Sequence, residues 1–233
     1  MEGTACAIAN NLMKGFGIFV MFLSLAMGTS WETPCGGPPA SPPPGFPVPP
    51  PLQYVTAMRP IIDEATLKIG ELKDRYIQER FNNNGVFIPI MNDFHYDGMP
   101  ECCMSLEEMA QSLSNLTLVH QTNYDKISRA LVFLEQVALD ENLLETPSYI
   151  ADVSSIQTDA LNLLCNKQSL ILNAGATINY VSSSVMADHV REYQNEFDRH
   201  VRDYIIIKDV DRMFNNMNVH IKAIETHLLT PGN

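Results

Sequence analysis

The chain has 233 residues, enough for one domain or two small ones. A hydrophobic share of 45% suits a packed core, and a charged share of 18% is too low for a wholly disordered chain or a long coiled coil. Fifteen Lys and Arg against 27 Asp and Glu leave a net charge of −12, which argues against nucleic acid or anionic lipid as a partner.

Residues 15–27, GFGIFVMFLSLAM, form an uncharged apolar run behind Lys14, with small residues at Ala26, Gly28 and Ser30. That is the order of a secretory leader, and the run falls short of the ~20 residues a membrane-spanning helix needs. The sequence therefore predicts a signal peptide over 1–30, cut after Gly28 or Ser30, against a type II anchor as the competing reading. Later apolar stretches are all interrupted by Asp or Glu, so the expectation is a secreted, extracellular chain without membrane insertion. Residues 31–52 follow as a Pro-rich, disordered arm: ten of the fifteen prolines lie between Pro34 and Pro51, removing backbone donors from a stretch with little apolar mass.

Export to an oxidising compartment makes the cysteines disulfide candidates. Cys6 leaves with the leader; Cys35, Cys102, Cys103 and Cys165 allow three full pairings, among which the sequence does not choose. Adjacent cysteines rarely bond each other, and the link expected in a non-reducing peptide map joins Cys165 to Cys102 or Cys103. Paired Cys-x-x-Cys or His spacings for zinc are absent from the sequence. Asn115-Leu116-Thr117 is an acceptor for N-linked sugar, which requires Asn115 to face solvent.

From residue 53 onward the apolar residues recur at three- and four-residue steps. A first helix, 53–81, carries Met58, Ile62, Ala65, Ile69, Leu72 and Tyr76 on one face and ends at the Asn82-Asn83-Asn84-Gly85 turn. Pro89, Gly98 and Pro100 predict irregular chain up to Ser105. A second helix, 105–139, opens on the capping box Ser105/Glu108 and buries Leu106, Met109, Leu113, Leu116, His120, Ile127, Leu131, Leu134 and Ala138 as one continuous rod. A third, 148–174, follows Pro147 and buries Ile150, Val153, Ala160, Leu164 and Ile171. A fourth, 190–228, carries the longest stripe: Val190, Tyr193, Phe197, Val201, Tyr204, Ile207, Val210, Phe214, Met217, Ile221, Ile224 and Leu228. Its start is expected nearer Arg191 than Asp188, with Asp209 and Asp211 on its polar side.

Four amphipathic helices sharing a seam predict an all-α, long-chain four-helix bundle over 53–229. The connection between the first two helices is long, the next short and the last long. Short links join antiparallel neighbours, whereas a long link lets the chain return along the bundle, so the expected connectivity is up-up-down-down with two crossover loops.

The sequence offers little chemistry. The histidines lack metal-binding spacing, and no phosphate-cradling glycine loop or nucleophile elbow occurs. No catalytic, cofactor-binding or metal residue is assigned; the chain is read as a non-enzyme acting through its surface.

Three stretches carry a resemblance: Tyr76-Ile77 leading into NNNGVFIPIMNDF, SLSNLTLVHQTNYDKISRALVFL with its Asn123-Tyr124, and FDRHVRDYIIIKDVDRMF. Together, over about 54–228, they resemble the interleukin-6 family of long-chain helical cytokines, most nearly the branch of cardiotrophin-like cytokine, cardiotrophin and ciliary neurotrophic factor. The resemblance implies a secreted, monomeric cytokine that clusters cell-surface receptors and activates Janus kinases and STAT factors. One face, from the first and third helices, would meet a shared signal-transducing chain. Another, from the end of the fourth helix and the first long loop, would meet a specificity receptor, and the start of the fourth helix would engage a leukaemia inhibitory factor receptor type of chain. A soluble receptor-like helper for secretion is a further candidate partner. In that branch a Phe-x-x-Lys pattern opens the fourth helix; here Phe197 and His200 stand in those positions, and an imidazole is not a fixed ammonium. Phe197 also fits the inward stripe. The competing class is a secreted helical carrier of lipid or another apolar ligand.

Overall fold

The computed structural model describes residues 34–35, 50–82, 87–144, 148–193 and 195–230. The predicted leader, most of the Pro-rich arm, and Pro147 lie outside them. Among the described residues the chain is all-α: α1 (Pro51–Phe81), α2 (Phe87–Asp93), α3 (Leu106–Ser112), α4 (Leu116–Asn142), α5 (Ile150–Asn173), a 3₁₀ turn (Ser183–Val185), α6 (Asp188–Arg191) and α7 (Glu196–Leu229).

Helix α1 starts on Pro51, whose missing N–H falls where a helix has no acceptor for it, and ends where Asn82 turns left-handed (φ 49°). All six stripe residues from Met58 to Tyr76 are buried. It packs on α7 and α5, and α4 packs on the same two helices. Arg59 near the start of α1 pairs with Glu225 near the end of α7 at 2.5 Å, while Phe81 meets Phe197 at 6.1 Å. Lys68 pairs with Asp159 of α5 at 2.6 Å, and Asn173 at the end of α5 donates to the Tyr54 hydroxyl at 2.8 Å. Tyr124 near the start of α4 reaches Gln168 near the end of α5 at 3.4 Å, and Asp140 near the end of α4 pairs with Arg202 near the start of α7. In each packed pair one helix's start faces the other's end.

Several sequence expectations are corrected. The predicted second helix is two: Asn115 (φ −138°) interrupts it, accepting from the Leu118 amide and so capping α4, while Ser114 bonds back to Gln111. Short polar side chains compete here with the helical ladder, and the apolar period alone does not register that competition. Asp188–Arg191 is a separate turn, and the last long helix begins only at Glu196, capped by Asn195. The first long loop is not wholly irregular, because Pro89 falls in the first turn of α2, where its missing donor is harmless.

Asp209 and Asp211 are buried, not on a solvated side. Asp209 is covered by α2 and its following loop, whereas Asp211 lies against α1 and pairs with Lys73. Lys208 donates to the carbonyls of Met91 (3.1 Å), Asn92 (3.3 Å) and Phe94 (2.5 Å), and His95 lies 2.8 Å from Asp209. A buried ammonium against carbonyls at a helix end satisfies both.

The cysteine pairing also differs. Cys35 bonds Cys165, with Cα atoms 5.5 Å apart, and Cys102 bonds Cys103, where Cys103 takes φ 78°. Cys165 cannot serve Cys102 or Cys103 because they lie beside α7, next to the Met104–Asn216 hydrogen bond, whereas α5 packs on α1 and α4.

Candidate functional site

The end of the molecule formed by the C-termini of α1 and α4 and the N-terminus of α7 carries Phe197 and His200. Asn195 accepts from the Asp198 amide at 2.7 Å, and its own side-chain amide donates to the Asp198 carboxylate at 2.6 Å, so the first turn of α7 is fixed locally. Phe197 projects from that turn, 49% exposed, edge-on to Phe81. Phe81 in turn stands edge-on to Tyr204 at 6.1 Å. The Phe197 ring is thus supported from α1 while half of its surface is exposed.

His200 is not an open contact. Its side chain is 14% exposed, lies edge-on to Tyr76 at 6.3 Å, and has Glu196 at 3.7 Å. Burial, with the nearby Arg80 guanidinium, holds its pKa below the ordinary histidine value, so the ring is neutral at pH 7.

Beneath this surface lies a buried ionic lattice absent from the sequence reading. Arg202, 0% exposed, pairs with Asp140 and with Asp203 (2.8 Å), and donates to the Val190 (3.2 Å) and Arg191 (3.1 Å) carbonyls. It thereby ties the end of α6 and the loop ahead of α7 to α4. Burial raises the Asp203 carboxyl to about 7, against the opposing pull of Arg202. On the α1 side, Arg80 pairs with buried Glu141 at 3.1 Å, and Glu141 accepts from the amides of Ser148 (3.3 Å) and Tyr149 (3.2 Å), capping α5 from outside. The one sequence signal for this lattice was the unbroken Tyr204-Ile205-Ile206-Ile207 run, because a helix apolar on every side is buried on every side.

The remaining assigned residues are dispersed. Asn115 is exposed at the α4 cap, and Cys102, Cys103 and Cys165 are bonded as described. A second polar group lies at the opposite end, where His120, Lys167 and His220 are all buried. Burial depresses Lys167 to about 7; burial and then Lys167 depress His120 to about 3 and His220 to about 4. Among the described residues no group of three or more His, Cys, Asp or Glu is placed to hold a metal ion, and no helix is long and apolar enough to cross a membrane.

Comparison with known proteins gives no match to any protein-family model, curated protein or solved structure.

Proposed function

We propose that this chain is a secreted helical cytokine that acts by holding cell-surface receptors at fixed spacing. The observation that carries the reading is Phe197: a half-exposed aromatic ring at the open end of a helix whose following turns are buried, seated on a cross-linked base. Rigid aromatic anchors of this kind dominate protein interfaces, because they bring large area at small entropic cost.

The topology we infer is up-up-down-down. Each packed pair runs head to tail, and α1 and α4 share the partners α5 and α7, an arrangement that sets α1 parallel to α4 and both opposite to α5 and α7. The long segments 82–115 and 174–195 then serve as the crossovers. Two disulfides agree with an oxidising destination outside the cell.

In this reading the α7 start, with Phe197 at its centre, meets a leukaemia inhibitory factor receptor type of chain. The α1–α5 face, which exposes Leu67 beside the Lys68–Asp159 pair, meets a shared signal-transducing chain, and their approximation starts Janus kinase and STAT signalling. His200 contributes by filling the space against Tyr76, not by charge. Phe197→Ala is expected to lower receptor-dependent STAT phosphorylation about tenfold or more with an unchanged far-UV spectrum. Full signalling by that variant refutes the assignment.

A further inference from the structure

Asn115 opens α4 at the end of the molecule remote from Phe197, and its carboxamide divides two tasks between two atoms. Oδ1 accepts from the Leu118 amide at 3.1 Å and so caps the helix. Nδ2 is the atom that carries sugar in an Asn-x-Thr acceptor, and it belongs here to an exposed residue. With Oδ1 turned onto the helix end, Nδ2 on the other side of the same planar group is turned away from it, so capping and modification coexist.

Beside that nitrogen the chain forms a groove. Residues 115, 118, 122 and 125 follow at steps of three and four, which sets them along one side of α4. Between that side and the chain after α5 lies a groove of about 300 Å³, at the lower end of the ~300–1,000 Å³ that ligand pockets occupy. Leu118, 56% exposed, and Ile178 give it apolar walls, while Thr122, Asp125 and Asn179 give it polar ones. Its two banks are tied together by the protein itself. The Gln121 side chain donates to the Thr177 carbonyl at 2.7 Å, and Tyr124 stands edge-on to Tyr180 at 6.4 Å. At ~1.5 Å per residue, α4 carries Leu118 about 5 Å and Asp125 about 15 Å beyond Asn115, the reach of two linked sugar rings.

We propose that this groove seats the inner two N-acetylglucosamine residues of a glycan carried by Asn115 Nδ2, an inference that rests on export of the chain. The donor in the transfer is a lipid-pyrophosphate-linked oligosaccharide. Nδ2 loses one proton and bonds to the anomeric carbon, and the bond from that carbon to the lipid pyrophosphate breaks, the pyrophosphate leaving with the bonding pair. A pyranose ring matches the lining because its C–H face is apolar and its hydroxyl and acetamido groups lie at the edge. The face covers Leu118 and Ile178, and the edge groups exchange hydrogen bonds with Thr122, Asp125 and Asn179. A hydrocarbon would strip water from the Asp125 carboxylate without replacing it, and a small ion would leave Leu118 uncovered. The start of α4 belongs to neither proposed receptor face, so the glycan leaves Phe197 open to its partner.

The test is hydrogen–deuterium exchange on the full-length secreted chain, with peptide mapping to read sugar occupancy at Asn115. Thr117→Ala removes the acceptor and keeps the Asn115 cap, whereas Thr117→Ser keeps both. The expected result is that amides of 177–180 exchange about five- to tenfold more slowly in the glycosylated parent and in Thr117→Ser than in Thr117→Ala. Leu118→Ser is expected to keep the glycan and lose that protection. Equal exchange in the glycosylated parent and Thr117→Ala overturns the seating, as does full protection in Leu118→Ser. An exported chain with Asn115 unmodified overturns the inference and leaves export standing, whereas a chain that never enters the secretory route removes both.

Discussion

A histidine that sits 14% exposed against a tyrosine ring behaves differently from a lysine held out to solvent, and the chemistry at Phe197 and His200 follows from that difference. Burial holds the His200 pKa below the ordinary histidine value, so the ring carries less charge than a free imidazole at the same pH. Receptor affinity is therefore expected to stay flat between pH 7.4 and 6.5, checked by surface plasmon resonance at both values; a rise on acidification would assign His200 a charged contact. Lys167 gives a second pH signature. Its folded value near 7 lies below its unfolded value of 10.5, so the unfolded chain holds more protons between them. The stability this lysine contributes is complete above 10.5 and is lost as pH falls through 7. Lys167→Met is expected to be more stable than the parent by ~1–4 kcal/mol at pH 7, with the gap closing towards pH 10 in denaturant titrations. Gly98 sits at φ 88° where an added Cβ would collide with the Val185 carbonyl, so Gly98→Ala is expected to cost about 1–3 kcal/mol in the same assay.

Helix positions were legible wherever burial obeys the 3.6-residue period. Met58, Ile62, Ala65, Ile69, Leu72 and Tyr76 in α1 are all buried, as are Val153, Ala160, Leu164 and Ile171 in α5. Helix ends were less legible, because they are decided by single polar side chains that the period ignores. Asn115 and Asn195 each divide an apolar stripe by capping the segment that follows. The buried charges of α7 were missed for another reason: nothing in the local pattern announces that α2 will fold over Asp209 and Lys208 from more than a hundred residues away. Asn115 now has two separable roles, cap and sugar acceptor. Asn115→Asp retains the cap and removes the acceptor, whereas Asn115→Ala removes both. The expected outcome is a stability loss of about 1 kcal/mol in the alanine variant alone, measured on chains produced without glycosylation. Any mobility difference between enzymatically deglycosylated and untreated secreted chain reports use of the site.

For the molecule as a whole, the helical class could be read from the sequence, whereas the disulfide pairing could not: the rule against bonding adjacent cysteines disfavoured the Cys102–Cys103 bond that the structure holds. Cys35–Cys165 joins chain positions 130 apart, tying the segment ahead of α1 to α5. Non-reducing peptide mapping is expected to recover Cys35 linked to Cys165, and Cys165→Ser to lower stability by about 2–4 kcal/mol. The proposed function depends on a different property, the presentation of separate faces by one rigid body. The arginine lattice around Arg202 serves that end by tying α4 and α6 to the early part of α7. The most direct measurement is capture of cytokine-receptor ectodomains from a cell-surface panel by the secreted chain and by Phe197→Ala. The expected result is that the parent binds one shared signal-transducing ectodomain and one leukaemia inhibitory factor receptor type ectodomain, and that the variant loses only the second. A parent chain that captures no receptor ectodomain would contradict the account.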